Sequence, residues 1–149
     1  MKTKASFMHH PIHPMIIVFP LGLWIFSFIC QIIFKLSNAP VWHEVALYTM
    51  CGGIIGAALA AVPGLIDLFD LPKSKARTIG IWHMLTNVTV LTIFIIAFFI
   101  DIYSHEDEVA FVLSLVGVAL LLLGGWLGGE LVYRYAIGVA EHPANQSKI

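Results

Sequence analysis

Four long stretches of the chain contain no Asp, Glu, Lys or Arg, and they define the predicted elements. They cover residues 5–34, 45–66, 78–100 and 109–129 and are 30, 22, 23 and 21 residues long. A helix needs about 20 mostly apolar residues to cross a bilayer. We therefore predict an all-α fold, an integral membrane four-helix bundle that forms a single domain over residues 1–149. The predicted spans are about 15–36, 41–63, 79–103 and 109–133.

Composition agrees with a membrane protein and excludes other classes. Hydrophobic residues make up 59% of the chain and charged residues 11%, whereas soluble domains have roughly 45–50% and about 25%. A net charge of −1 without a basic patch argues against nucleic-acid binding. Cys30 and Cys51 lie in apolar spans and form no CxxC motif, so the sequence gives no support for a disulfide framework, a zinc knuckle or covalently attached haem.

The basic residues predict the orientation in the membrane. One side of the predicted bundle receives seven of them, namely Lys2, Lys4, Lys73, Lys75, Arg77, Arg134 and Lys148. The other side receives only Lys35. Because cytoplasmic loops carry an excess of Lys and Arg, we predict that both termini are cytoplasmic.

Small residues form rows on the second and fourth spans. The row on the second span is Gly52, Gly56, Ala60 and Gly64, with Gly53 beside it, and the row on the fourth is Gly124 and Gly128, with Gly125 and Gly129 beside it. Residues four apart share one helical face. Such a face suits close helix contact within the bundle, a homodimer, or space for a flat cofactor, and the pattern does not choose among these.

A stripe of polar and aromatic residues follows one face of the first span. It consists of His13, Pro20, Trp24, Ser27 and Gln31. Polar side chains in hydrocarbon face the interior of a bundle, so we predict that this stripe points inward. Pro20 is expected to kink the helix.

Each predicted span also contributes polar residues to one layer near the cytoplasmic side. The layer contains His9, His10, His13, Asp67, Asp70, His83, Asn87, Glu130, Arg134 and His142. His43 and His105 lie at the opposite side. The layer is the best candidate for a functional site because ionisable groups in membrane spans are costly.

His13 and His83 are the candidate metal or haem ligands of this layer. His83 lies inside an uncharged stretch, on the same helical face as Asn87. His13 lies between two prolines, which restrict the backbone and aim its imidazole. For both, a hydrogen bond between helices or an interfacial anchor is the alternative.

Three charged residues could support such ligands or balance one another. Glu130 and Arg134 form an i,i+4 pair in the favourable order. Asp67 is predicted either to balance Arg77 or Arg134 or to support a histidine ligand.

These motifs resemble a bacterial membrane family, domain of unknown function 2231. The resemblance rests on the run H10-P-I-H-P-M-I-I-V-F-P, the turn P63-G-L-I-D, His83 with Asn87, and G128-G-E-L-V-Y-R-Y. It implies a multi-pass protein of the bacterial inner membrane. Relatives joined to Rieske-type or cytochrome domains imply a redox setting. Some relatives carry a further histidine where this chain has Val18, so the resemblance does not imply two haems here.

The leading hypothesis is a b-type cytochrome-like electron carrier, because four-helix bundles hold cofactors between facing helices. His13 and His83 would ligate haem b, Asn87, Asp67 and Glu130 would support them, and Arg134 would lie near a propionate. An electron carrier implies a redox partner protein as well as the lipid bilayer.

Two other classes remain open at this stage. One is a non-haem protein that binds a divalent metal or handles protons through the same residues, and the other is a structural subunit of a membrane redox complex. An enzyme that acts alone is not expected, because no nucleophile–base pair or phosphate loop has usable spacing.

Overall fold

The computed structural model describes residues 4–8, 10–104 and 107–139, and four helices dominate it. The helices are α1 (Ile12–Ser37), α2 (Pro40–Asp70), α3 (Lys75–Ser104) and α4 (Asp107–Tyr133). All four are long and apolar enough to span a membrane, which confirms the predicted class of fold. Two short strands, β1 (Ser6–Phe7) and β2 (His10–Pro11), precede α1 as an antiparallel hairpin that the sequence analysis did not predict.

Two of the helices continue through a proline. Pro20 lies within α1, and Pro63 lies within α2, which runs on to Asp70. An internal proline removes one backbone hydrogen bond, but spanning helices tolerate it when neighbouring groups satisfy the freed carbonyl. Asp67 therefore belongs to the last turns of α2 and not to a loop after it.

Successive helices form two helical hairpins that pack side by side. The first hairpin is α1 with α2, the second is α3 with α4, and packing within each is much closer than packing between them. The hairpins meet where α2 contacts α3 and where α1 contacts α4. Because the chain reverses at each connection, α1 and α3 begin at one end of the bundle, called the histidine end, and finish at the other, called the distal end.

The core lies midway between these ends and is built around an aromatic pair. Trp24 of α1 stacks on Phe94 of α3, with ring centroids 4.4 Å apart and an interplanar angle of 7°. Trp24 Nε1 also donates to the Met50 carbonyl at 3.3 Å. Pro20, Trp24, Ser27 and Gln31 are all buried, so the prediction of an inward stripe on α1 is confirmed for them.

The glycine rows allow the helices of each hairpin to approach closely. A Cβ atom at Gly53 would lie 2.5 Å from Trp24 Cδ1, and one at Gly117 would lie 2.8 Å from Phe94 Cε2. Gly56 likewise faces Pro20. Contact within the bundle therefore accounts for these rows, whereas Gly125 has open space where a Cβ would be.

Candidate functional site

His13 and His83 meet across the diagonal of the bundle at the histidine end. Their ring centroids are 6.2 Å apart, and their planes are inclined at 87°. Both side chains are half-buried. The structure thus brings together the two residues that the sequence nominated as ligands, and we call them the histidine pair.

Each imidazole is held by a backbone carbonyl of the other helix in its own hairpin. His13 Nδ1 lies 2.8 Å from the Ala60 oxygen on α2, and His83 Nδ1 lies 2.9 Å from the Gly124 oxygen on α4. A carbonyl oxygen only accepts, so Nδ1 is the protonated nitrogen of each ring. Nε2 of each ring then carries the lone pair that a metal would bind. A carbonyl partner on the second ring nitrogen is usual for histidines that ligate metals.

Glycines provide the space in which the two rings lie. A Cβ at Gly64 would lie 2.8 Å from His13 Nδ1, and one at Gly128 would lie 3.0 Å from His83 Cε1. A side chain at either position would therefore push the imidazole away from its carbonyl partner. These glycines accommodate the imidazoles of the histidine pair, a use of the glycine rows that the sequence analysis did not specify.

Asn87 supports His83 from the next turn of α3. Its Nδ2 donates to the His83 backbone oxygen at 2.7 Å and also lies 3.3 Å from both ring nitrogens. Gly124 leaves room for this amide, since a Cβ there would lie 3.2 Å from it. The predicted shared face of His83 and Asn87 is confirmed, and a ligand on His83 Nε2 would lie beside the amide.

Asp67 has a partner that the sequence did not indicate. Its Oδ1 accepts from the backbone N–H of Ala5 at 2.8 Å, so it anchors the N-terminal strand hairpin to the end of α2. In the part of the chain that is described, Arg77 donates instead to the Leu71 carbonyl, and Arg134 donates to Glu130. The prediction that Asp67 balances one of these arginines is therefore corrected. The Asp67 carboxylate bonds to the backbone of Ala5, and both arginines have other partners.

The strand hairpin ends at Pro11, two residues before His13. Besides the contact of Ala5 with Asp67, the backbone N–H of Ile12 donates to the Ala5 carbonyl at 3.0 Å. Lys4 adds an exposed ion pair with Asp70 at 3.3 Å. Asp67 thus contacts the segment that leads into His13, and its predicted support of a histidine ligand stays a prediction.

Glu130 and Arg134 form the i,i+4 ion pair that the sequence predicts. Arg134 Nη1 donates to Glu130 Oε1 at 2.6 Å, and the Arg134 side chain is 70% exposed. The hydrogen bond and the charge of Glu130 raise the pKa of Arg134 above its ordinary value, so Arg134 keeps its charge. The pair lies at the end of α4, and its predicted support of haem stays a prediction.

The other histidines do not join the pair among the described residues. His10 Nδ1 bonds to the Met8 carbonyl at 2.9 Å, and His43 lies at the distal end. His9, His105 and His142 lie outside the described residues. Within the described ranges, no three His, Cys, Asp or Glu side chains form a metal cluster.

Sequence reasoning missed a second group of polar side chains, at the distal end, which we call the distal polar layer. His43 Nε2 lies 2.9 Å from Asp101 Oδ1, and Gln31 Nε2 donates to Ser114 Oγ at 3.1 Å. One signal was present: Asp101 and Gln31 each follow a core aromatic residue, Phe94 or Trp24, by two helical turns.

Together these features define a four-helix membrane protein with a paired-imidazole site near one end. The chain belongs to the DUF2231 family of predicted membrane proteins, whose family model matches residues 9–141. No curated protein and no solved structure is significantly similar to it.

Proposed function

We propose that this chain is an electron carrier of the bacterial inner membrane that binds haem b between His13 and His83, close to the cytoplasmic side. The observation that supports the proposal most directly is the histidine pair, in which both Nδ1 atoms contact backbone carbonyls and both Nε2 atoms carry a lone pair. Haem iron takes two axial imidazoles in many electron carriers.

The spacing of the rings fits two ligands on one metal. With metal–nitrogen bonds of about 2.0–2.1 Å and an imidazole radius of about 1.1 Å, two imidazoles that share one metal would have centroids at most roughly 6.3 Å apart. The pair has 6.2 Å.

Haem bound there would supply one-electron redox chemistry, and the protein would supply its ligands and surroundings. The carbonyls of Ala60 and Gly124 hold the two imidazoles in the correct tautomer. The stacked and buried Trp24 and Phe94 fill the bundle interior between the pair and the distal end. Asn87 orients His83, and Arg134 offers a positive charge at the membrane surface for a propionate.

An optical spectrum of the purified chain tests this proposal. The protein is expressed with a haem precursor and purified in detergent, and spectra are recorded before and after reduction with dithionite. We expect the bands of a six-coordinate b-type haem in the wild type and their loss in His13→Ala and in His83→Ala. His10→Ala is the matched control, because His10 is exposed at the same end and should leave the spectrum unchanged. A folded wild type without haem bands refutes the proposal.

A second candidate is a bound divalent metal ion without haem. It is favoured by the packing at Gly64 and Gly128, because the imidazoles of His13 and His83 already occupy the space beside these glycines. A single ion needs only the gap between the rings, whereas a macrocycle needs a wider slot. Metal analysis of the colourless protein, with loss of the ion in His13→Ala and in His83→Ala, would support this candidate over haem.

The electron-carrier candidate implies partner proteins. An electron carrier passes electrons between a donor and an acceptor, so we expect a redox partner protein at the cytoplasmic side. A homodimer would have to use glycines that are not covered within the chain, and Gly125 of α4 is one of these. Cross-linking through a cysteine placed at Trp126, which is exposed beside Gly125, tests for the dimer.

A further inference from the structure

The connection between α2 and α3 carries a group of basic residues at the histidine end. Lys73, Lys75 and Arg77 follow one another at every second position, and no Asp or Glu occurs from residue 71 to residue 100. Lys73 and Lys75 are exposed, whereas Arg77 is half-buried. Because the two lysines are two residues apart, their Cα atoms are at most about 7 Å from each other. Two long, flexible side chains at that separation can reach a single anion, and we call Lys73 and Lys75 the lysine surface.

The lysine surface is not neutralised by the described part of the chain. Within residues 4–8, 10–104 and 107–139, no ion pair or hydrogen bond involves the side chain of Lys73 or Lys75. The described carboxylates at this end have other partners: Asp67 bonds to Ala5, Asp70 to Lys4 and Glu130 to Arg134. The positive charge of the lysine surface is therefore available to a ligand from outside the chain.

Hydrogen bonds and packing hold the backbone around the lysine surface in place. Arg77 Nη1 donates to the Leu71 carbonyl at 3.2 Å, and the Arg77 backbone N–H donates to Ser74 Oγ at 3.3 Å. Gly80 lets Leu68 pack closely, since a Cβ there would lie 2.7 Å from Leu68 Cδ1. A ligand of the two lysines therefore has to order only their side chains, which lowers the entropic cost of binding.

The face of α3 that continues from Lys75 into the membrane is exposed and apolar. Trp82 follows Lys75 by seven residues, so it lies on nearly the same helical face and about 10 Å deeper. Trp82 is 60% exposed, and Leu85 and Ile96 continue the exposed face at 46% and 45%. Tryptophan is enriched at the level where headgroups meet acyl chains. A cationic group above an exposed apolar face matches a molecule that has an anionic headgroup and an acyl chain.

We propose that the lysine surface and the Trp82 face of α3 bind an anionic phospholipid. The lipid phosphate accepts hydrogen bonds from the ammonium groups of Lys73 and Lys75, and one acyl chain packs against Trp82. An acidic protein is the poorer match, because it would contact the lysines but not an indole that faces the hydrocarbon. Each basic residue near an anionic membrane surface favours binding about fivefold. This interaction is separate from the histidine pair and does not depend on haem.

Quenching of tryptophan fluorescence by brominated lipids tests the proposal. The full chain is reconstituted in phosphatidylcholine vesicles that contain increasing fractions of phosphatidylglycerol or phosphatidylcholine with brominated acyl chains. We expect the wild type to prefer brominated phosphatidylglycerol by about tenfold. Lys73→Gln and Lys75→Gln should each lower this preference about fivefold. Lys4→Gln is the matched control, because it removes the same charge from the same end but at a lysine that is already paired with Asp70.

Three results would overturn the proposal. The first is equal quenching of the wild type by the two brominated lipids, which would leave the lysines to an acidic partner protein. The second is a preference that persists in the double variant Lys73→Gln/Lys75→Gln or in Trp82→Phe. The third is loss of the preference in excess inorganic phosphate, which would indicate a site for free phosphate. Both lysines are exposed, so the double variant should keep the wild-type Tm, and thermal unfolding in detergent verifies that it is folded.

Discussion

The first helical hairpin and the second place corresponding residues at the same depths. In α1, Trp24 follows His13 by eleven residues, and in α3, Phe94 follows His83 by the same number. The glycines repeat this spacing: Gly64 follows Gly53 by eleven residues in α2, and Gly128 follows Gly117 by eleven in α4. In each hairpin one glycine adjoins the histidine, and the other adjoins the aromatic ring. The bundle thus consists of two similar halves, each of which supplies one imidazole.

The differences between the halves are concentrated in polar groups. Asn87 supports His83, whereas the corresponding place in α1 is Ile17. Asp101 in α3 corresponds to Gln31 in α1, so at this position one half has a carboxyl group and the other an amide. The strand hairpin and its anchor Asp67 belong to the first half alone. The shared features build the frame and the histidine pair. The unshared features give the two ends different polar groups and the two imidazoles different surroundings.

The largest effect should come from removing either member of the aromatic pair. We expect Phe94→Ala and Trp24→Ala each to lower the free energy of unfolding by about 3–5 kcal/mol, because both rings are buried. Trp24→Ala should cost more, since it also removes the hydrogen bond to Met50. Denaturation in mixed detergent micelles measures both. Trp126→Ala is the control, as Trp126 is 67% exposed, and an equal loss there would contradict the prediction.

The next largest effect concerns the glycines that face these rings. Gly53→Ala and Gly117→Ala should each destabilise the fold by about 1–3 kcal/mol through overpacking. Gly53→Ala should be the worse of the two, because its Cβ would lie 2.5 Å from the indole and that of Gly117 2.8 Å from the phenyl ring. Gly125→Ala has open space and should be neutral or slightly stabilising in the same assay. If all three variants behave alike, close packing is not the reason for these glycines.

The glycines beside the histidines should affect the bound group more than the fold. Gly64→Ala would displace His13 from the Ala60 carbonyl, and we expect an affinity for haem or metal about 10–100-fold lower. Gly128→Ala meets a ring carbon of His83 at 3.0 Å and should have a smaller effect. Spectral titration with haemin, or a metal titration of the colourless protein, gives both affinities. A larger loss in Gly128→Ala would show that the second imidazole is the less adaptable of the two.

The smallest effect should come from the strand hairpin, which only the first half carries. Asp67→Ala removes the acceptor of the Ala5 N–H, so hydrogen exchange in residues 5–12 should accelerate while the core helices keep their protection. Faster exchange throughout α1 in Asp67→Ala would mean that the strand hairpin stabilises more than its own segment.

Asp70→Asn should change the stability by less than about 1 kcal/mol, because its pair with Lys4 is exposed.

Sequence patterns were sufficient to predict the four helices and to select His13 and His83, and the reason is physical. A bilayer excludes charge from long stretches, which makes the spans visible, and it turns residues such as His83 and Gln31 inward. The partner of Asp67 could not be predicted, because it arises when the chain before α1 folds back on α2. The pairing of His43 with Asp101 also depends on how two helices are rotated against each other, and a single sequence does not specify that angle.

The distal contacts have a mechanical consequence. Three contacts join the two halves near the distal end, namely Gln31 with Ser114, Lys35 with Glu108, and His43 with Asp101. By contrast, both members of the histidine pair, His13 and His83, bond to a carbonyl within their own half. Within the described parts of the four helices, no hydrogen bond or ion pair joins the halves at the histidine end. The two halves are therefore fixed to each other near the distal end. At the histidine end, the short connection over residues 71–74 limits how far they can separate. A group bound by both imidazoles would draw the histidine ends of the two halves together.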